Sequence, residues 1–193
     1  MQEKANSTLV LIDPGHGYET PGKSWNDFHE WIFNRHLAKY LMFELDYLNI
    51  PYYLLVCEDY DVYLRERQSR ADDKAKEWKA STGQDSILVC LHANAYPEDT
   101  GVGGTETWYY SKAGKQMAAI FQEELVGELG WRDRGVRKGN FWMLKKTSMP
   151  AVLTECGFYT NDHEREELSK PEVQTRIAEA HARAIQRIIQ QED

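Results

Sequence analysis

The sequence predicts an α/β fold: one domain with a mostly parallel twisted sheet and helices on both faces. Three observations predict it. Apolar runs at Leu9–Ile12, Ile87–Leu91 and Ala151–Thr154 have the length and composition of buried strands. Segments with apolar residues at helical spacing separate them. Strands and helices alternate along the chain, the order that builds a layered α/β domain.

After the first strand, a polar loop over 18–25 leads to a helix over 27–49, marked by Trp31, Ala38, Leu41, Met42, Leu45 and Leu48. A second strand is expected over 51–57, then a charged helix over 62–80 with Leu64 and Trp78 on its quieter side. The run at 87–91 is followed by a glycine-rich turn and a strand over 103–110, rich in β-formers. The short link between those two strands allows an antiparallel member. A helix over 113–129 is anchored by Met117, Phe121 and Leu125. Residues 130–140 are polar, carry three arginines and read as a surface loop before Phe141–Leu144. The strand at 151–154 precedes a last helix opened by Ser169-Lys170-Pro171-Glu172, a capping-box pattern with an early proline, and continued by Val173, Ile177, Ala180, Ala184 and Ile188. No repeat or linker divides residues 1–193.

The 193 residues, 41% apolar and 28% charged, suit a single globular core. The net charge is −8 and the cations are scattered along the chain, which argues against nucleic acid as a partner. No apolar run is long enough to insert into a membrane, and residues 1–8 lack the basic start and apolar stretch of an export signal. The expectation is synthesis in the cytoplasm. Cys57, Cys90 and Cys156 each border an apolar run and are expected to be buried, unpaired thiols.

Each of the three apolar runs ends in a residue suited to metal chemistry: His16 after the first, His92 after the second, Glu155 after the third. In an α/β sheet, neighbouring strand ends open onto one crevice, so these residues can meet. A catalytic zinc takes three protein ligands, and Glu30 is the candidate to join His16 and His92. Asp27 and Glu30 also read as a capping box, in which Glu30 serves only the helix start. On spacing alone the two readings stand level. Asp13 or Asn94 is a candidate to orient the ligands, and Asp13 reads equally well as the start of a turn with Pro14. His163 and His181 read as helix-surface residues, and Arg65 and Arg67 as members of surface ion pairs.

Five segments together resemble the zinc-dependent N-acetylmuramoyl-L-alanine amidases of the amidase-3 type. They are Ile12-Asp13-Pro14-Gly15-His16-Gly17, the Glu30-to-Asn34 spacing, Leu91-His92-Ala93-Asn94-Ala95, Asp133-Arg134-Gly135-Val136, and Met149 through Phe158. The match runs in order along nearly the whole chain. It departs from the family pattern at Tyr18, Thr154 and Val56-Cys57, none of them a candidate ligand. The resemblance implies a phosphorylase/hydrolase-like fold without a separate wall-binding domain. It implies Zn2+ held by His16, Glu30 and His92, with Glu155 as general acid/base. It also implies peptidoglycan as the partner, cut between N-acetylmuramic acid and L-alanine, at the cell wall or in the periplasm. Without a visible export signal, release by lysis fits that site of action. Three other readings are a zinc peptidase, a thiol hydrolase using Cys156, and a wall-binding module that keeps the fold without the reaction.

Overall fold

The computed structural model describes residues 8–20, 22 and 24–191. Most of the opening stretch read for an export signal lies outside them. The expected α/β layering is present. A six-stranded sheet runs in the order β4-β1-β5-β8-β6-β7, built from β1 (Leu9–Pro14), β4 (Tyr52–Leu54), β5 (Ser86–Asn94), β6 (Thr105–Tyr109), β7 (Asp133–Lys138) and β8 (Ala151–Phe158). β4, β1, β5 and β8 are mutually parallel; β6 lies antiparallel to β8 and parallel to β7. The strands that run together in the middle are buried on both faces and carry unbroken apolar runs, as two covered faces require.

Helices α1 (Glu30–Tyr47), α3 (Lys112–Leu129) and α6 (Pro171–Ile189) cover one face through Leu37, Leu41, Phe121, Leu125, Ile177 and Ile185. Helices α2 (Leu64–Thr82) and α4 (Trp142–Lys146) cover the other, where Ala71, Met143 and Leu144 meet Leu9, Leu11 and Leu88. A short α5 (Asp162–Leu168) follows β8, capped by Asn161, whose side chain accepts from the Glu164 amide. Among the described residues no helix is long and apolar enough to cross a membrane.

Several expectations are corrected. The stretch over 130–140 is not all loop: Asp133–Lys138 forms β7, an edge strand whose charged residues blunt the sheet's open side and hide its signal from an apolar pattern. Helix α1 starts at Glu30 rather than residue 27, because Ser24–Trp25 (β2) and Phe28–His29 (β3) form a hairpin across a turn where Asn26 has φ 51°. Phe28 is buried there, stacked on Tyr159 at 5.0 Å. Neither capping box forms: His29 and Lys170 are the N-caps of α1 and α6, without side-chain caps, and Ser169 Oγ donates to the Arg165 carbonyl. Pro171 does stand in the first turn of α6. Cys90 and Cys156 are buried as expected, but Cys57 is exposed. His181 is fully buried in α6, and Arg67 is 2% exposed.

Candidate metal centre

The parallel register of β5 and β8 sets His92 directly opposite Glu155, and β1 pairs with the other side of β5. His16 follows β1 by two residues, so all three side chains reach the carboxyl ends of adjacent strands. Glu30, first residue of α1, is 4% exposed and enters the same crevice. One donor atom from each of His16, Glu30 and His92 lies within 4.8 Å of the others. Glu30 stands between the two imidazoles: Oε1 is 2.9 Å from His92 Nδ1 and Oε2 is 3.3 Å from His16 Nε2. The structure thus brings together the three residues proposed from sequence and gives the Glu30 carboxylate to the crevice, not to the helix start.

Burial by itself would raise the Glu30 carboxyl, yet hydrogen bonds from His16 and His92 hold it down at about 2. Burial is the largest single influence on His16 and lowers it, but the hydrogen bond and charge of Glu30, with the charge of Asp61, together carry it above its ordinary value. Glu155 behaves in the opposite way. Burial, then the charges of Glu30 and Glu106, push its carboxyl well above the usual range, and its buried Oε2 has no hydrogen-bond partner among the described residues. A carboxyl of raised proton affinity thus sits beside one held anionic, a division that suits a group that must take up a proton and then give it back. All four residues line a cleft of about 470 Å³.

The supporting groups include several that sequence reasoning missed. Arg67 spends all five guanidinium N–H groups: Nε on the Val62 carbonyl, Nη1 on Asp13 Oδ1 and the Pro14 carbonyl, Nη2 on the His16 carbonyl and Asp61 Oδ1, at 2.7 to 2.9 Å. Arg35 donates to the same Pro14 and His16 carbonyls at 2.8 and 2.9 Å. Two cations therefore pin a loop in which His16 has φ 65°, a left-handed conformation that needs outside support. Asn34, one turn after Glu30, donates to the Gly15 carbonyl. Asp13 lies inside β1, where its Oδ1 accepts from Arg67 rather than from a ring of His16 or His92. Asn94 donates to Glu106 Oε1, and Glu106 also accepts from Trp108 and Arg134. No local pattern marks Glu106 or Arg67. His29 contacts Ser24 and stays out of the cluster.

Two imidazoles and a carboxylate converging on one point are a zinc-type donor set. The residues present fit the ion: three donors converge, and a carboxyl without a hydrogen bond at Oε2 stands by. Cys156 does not compete as a nucleophile, since its thiol is sealed and burial pushes its pKa far up.

Comparison with known proteins finds relatives of this chain in sequence and in fold. The family model described as N-acetylmuramoyl-L-alanine amidase matches residues 10–187. N-acetylmuramoyl-L-alanine amidase CwlM of Bacillus licheniformis is 33% identical over 92% of this chain and 67% of its own length. N-acetylmuramoyl-L-alanine amidase LytC of Bacillus subtilis is 31% identical over 89% of this chain, which spans only 33% of LytC. The crystal structure of N-acetylmuramoyl-L-alanine amidase from Clostridium difficile 630 superimposes with a TM-score of 0.88 at 28% identity, covering 97% of this chain and all of that one. On the family match and the shared fold, this chain belongs to the N-acetylmuramoyl-L-alanine amidase family.

Proposed function

We propose that this chain hydrolyses the amide between N-acetylmuramic acid and L-alanine in peptidoglycan, with Zn2+ held by His16, Glu30 and His92 and with Glu155 as general acid/base. The observation that carries the reading is the convergence of three metal-type donors within 4.8 Å beside a carboxyl whose Oε2 is buried and unpartnered. Zinc at this point supplies Lewis acidity toward the scissile carbonyl and lowers the pKa of water. The ordering of the site falls to the chain. Arg67 and Arg35 hold the His16 backbone, and Gly15 leaves room for the His92 ring.

Glu155 takes the proton of the attacking water as its oxygen bonds to the carbonyl carbon. It returns that proton to the nitrogen as the C–N bond breaks, so the peptide leaves as a neutral amine. A carboxyl with a raised pKa holds the proton long enough to deliver it. The products are a glycan bearing a free lactyl carboxylate and a peptide beginning with L-alanine.

The test is to measure zinc content and hydrolysis of sacculi in the wild type and in Glu155→Gln. The variant should hold about one zinc per chain and release peptide at least 100-fold more slowly, the usual scale for a lost acid/base group. Mass spectrometry of the soluble products should show intact stem peptides with a free L-alanine amine; shortened peptides would make the protein a peptidase instead. Full activity in Glu155→Gln would sink the assignment.

A further inference from the structure

The cations that look scattered in the sequence are partly gathered by the fold. Arg65, Lys138, Lys145 and Lys146 are all exposed, and none makes an ion pair within 4 Å among the described residues. Each instead lies near an aromatic face. The Arg65 guanidinium is 5.8 Å and Lys146 Nζ 5.7 Å from the Trp142 ring centroid, while Lys138 and Lys145 Nζ are 5.4 and 5.6 Å from that of Tyr110. Trp142 and Tyr110 pack on one hydrophobic cluster, and Lys145 and Lys146 are neighbours at the end of α4. An aromatic ring attracts a cation but carries no net charge, so the ridge keeps its positive charge. In a chain of net charge −8, four cations without an ion pair gathered around α4 are a local excess of positive charge, tempered by Asp72, which lines the groove of Arg65 and Lys146.

The ridge also has a fixed relation to the cleft. Trp142 lines the cleft that contains His16, Glu30, His92 and Glu155, and it also lines the groove holding Arg65 and Lys146. A ligand that reaches out of the cleft past Trp142 meets Arg65 and Lys146 first; Lys138 and Lys145 stand farther along, by Tyr110, at the end of β6 that pairs with the start of β8.

We infer that the ridge formed by Arg65, Lys138, Lys145 and Lys146 binds carboxylates of the stem peptide, and so directs the peptide arm of the substrate across Trp142. This rests on the proposed amide cleavage. The scissile bond joins two arms of different charge: on the glycan side the lactyl carboxyl is consumed in the amide, whereas the peptide side keeps free carboxylates. Charge complementarity assigns the peptide to the ridge and leaves the sugar the far side of the cleft. Long-range attraction of this kind acts on capture more than on bond breaking.

The test uses two synthetic muramoyl peptides of one sequence, one with free side-chain and C-terminal carboxylates and one with them amidated. Calorimetric binding is measured on Glu155→Gln, which prevents turnover, and hydrolysis is measured on the wild type. At low salt the free-carboxylate form should bind about five-fold tighter, the scale of one exposed ion pair. The preference should shrink in 0.5 M salt and vanish when Arg65→Gln and Lys146→Gln are added. Equal binding of the two peptides overturns the inference, as does a preference that survives the double substitution. Tighter binding of a phosphodiester polymer than of either peptide, lost in the double variant, would make the ridge a polymer anchor and overturn it too. Carboxylate-dependent binding without hydrolysis would instead keep the ridge and remove the reaction; hydrolysis without the preference would do the reverse.

Discussion

Arg67 and Asp13, 54 positions apart, form an ion pair of 2.8 Å whose side chains are 2% and 3% exposed. The pair lies under the loop that presents His16, and the guanidinium reaches the His16 carbonyl with its other nitrogen. Removing one partner of a buried, hydrogen-bonded pair strands the other charge, at a cost of about 3–5 kcal/mol. Arg67→Met is therefore expected to lower unfolding stability by that amount in denaturant titrations. Arg67→Lys keeps the charge but not the planar guanidinium that holds three carbonyls and two carboxylates. It should recover part of the stability while zinc affinity, measured by chelator competition, stays roughly ten-fold or more below wild type, the usual scale for lost ligand support. Equal zinc affinity in Arg67→Lys and wild type would show that the clamp serves folding alone.

Gly15 sits against the His92 ring so closely that an added Cβ would occupy the same space as its Cε1 and Nε2. Gly15→Ala must push a proposed ligand out of place. Zinc content after dialysis is expected to fall well below one per chain. The control is Gly127→Ala in α3, where an added Cβ meets nothing and helix propensity favours alanine by about 0.5–1 kcal/mol. That variant should unfold slightly later and hold zinc normally.

His181 gives a pH dependence with a definite sign. Burial drives its pKa down to about 4, while Nδ1 bonds the Ile177 carbonyl and Nε2 faces Thr154 Oγ1. An exposed histidine titrates near 6.5, so between about 4 and about 6.5 only the unfolded chain carries the proton. Its contribution is thus fully present above about 6.5 and is lost as pH falls toward about 4, by roughly 3 kcal/mol in all. The loss of denaturant stability between pH 7 and pH 4.5 should be smaller in His181→Gln than in wild type. Parallel curves would place the acid sensitivity elsewhere.

Chelation should separate the candidate chemistries. The three donors sit in a cleft open to solvent, with His16 about one-third exposed. Dialysis against a strong chelator is expected to abolish peptide release from sacculi, and one equivalent of zinc should restore it. Cys156→Ala, by contrast, should retain release, because that thiol is sealed in the core.

Much of the site was legible because its chemistry stands at the ends of local patterns. His16, His92 and Glu155 each close an apolar run, and runs of that kind pair side by side in a parallel sheet. Glu30 was legible as a residue but not as a role, since a capping box and a ligand look alike until the hairpin at Ser24–His29 moves the helix start. Strand β7 escaped because a charged edge strand has no apolar alternation. Arg67 and His181 were misread because both belong to amphiphilic helical patterns in which a polar residue ordinarily faces water.

The sequence by itself determined the layered α/β order, the three apolar strands and the residue types that end them, because periodicity and strand termini are properties of neighbouring residues. Only the tertiary structure decided that Glu30 stands between His16 and His92, that Arg67 is buried under the His16 loop, and that Arg65 meets Lys146 at the ring of Trp142. Such placements depend on partners tens of residues away, and the free energy of a polar group is set by its surroundings rather than by its place in the chain.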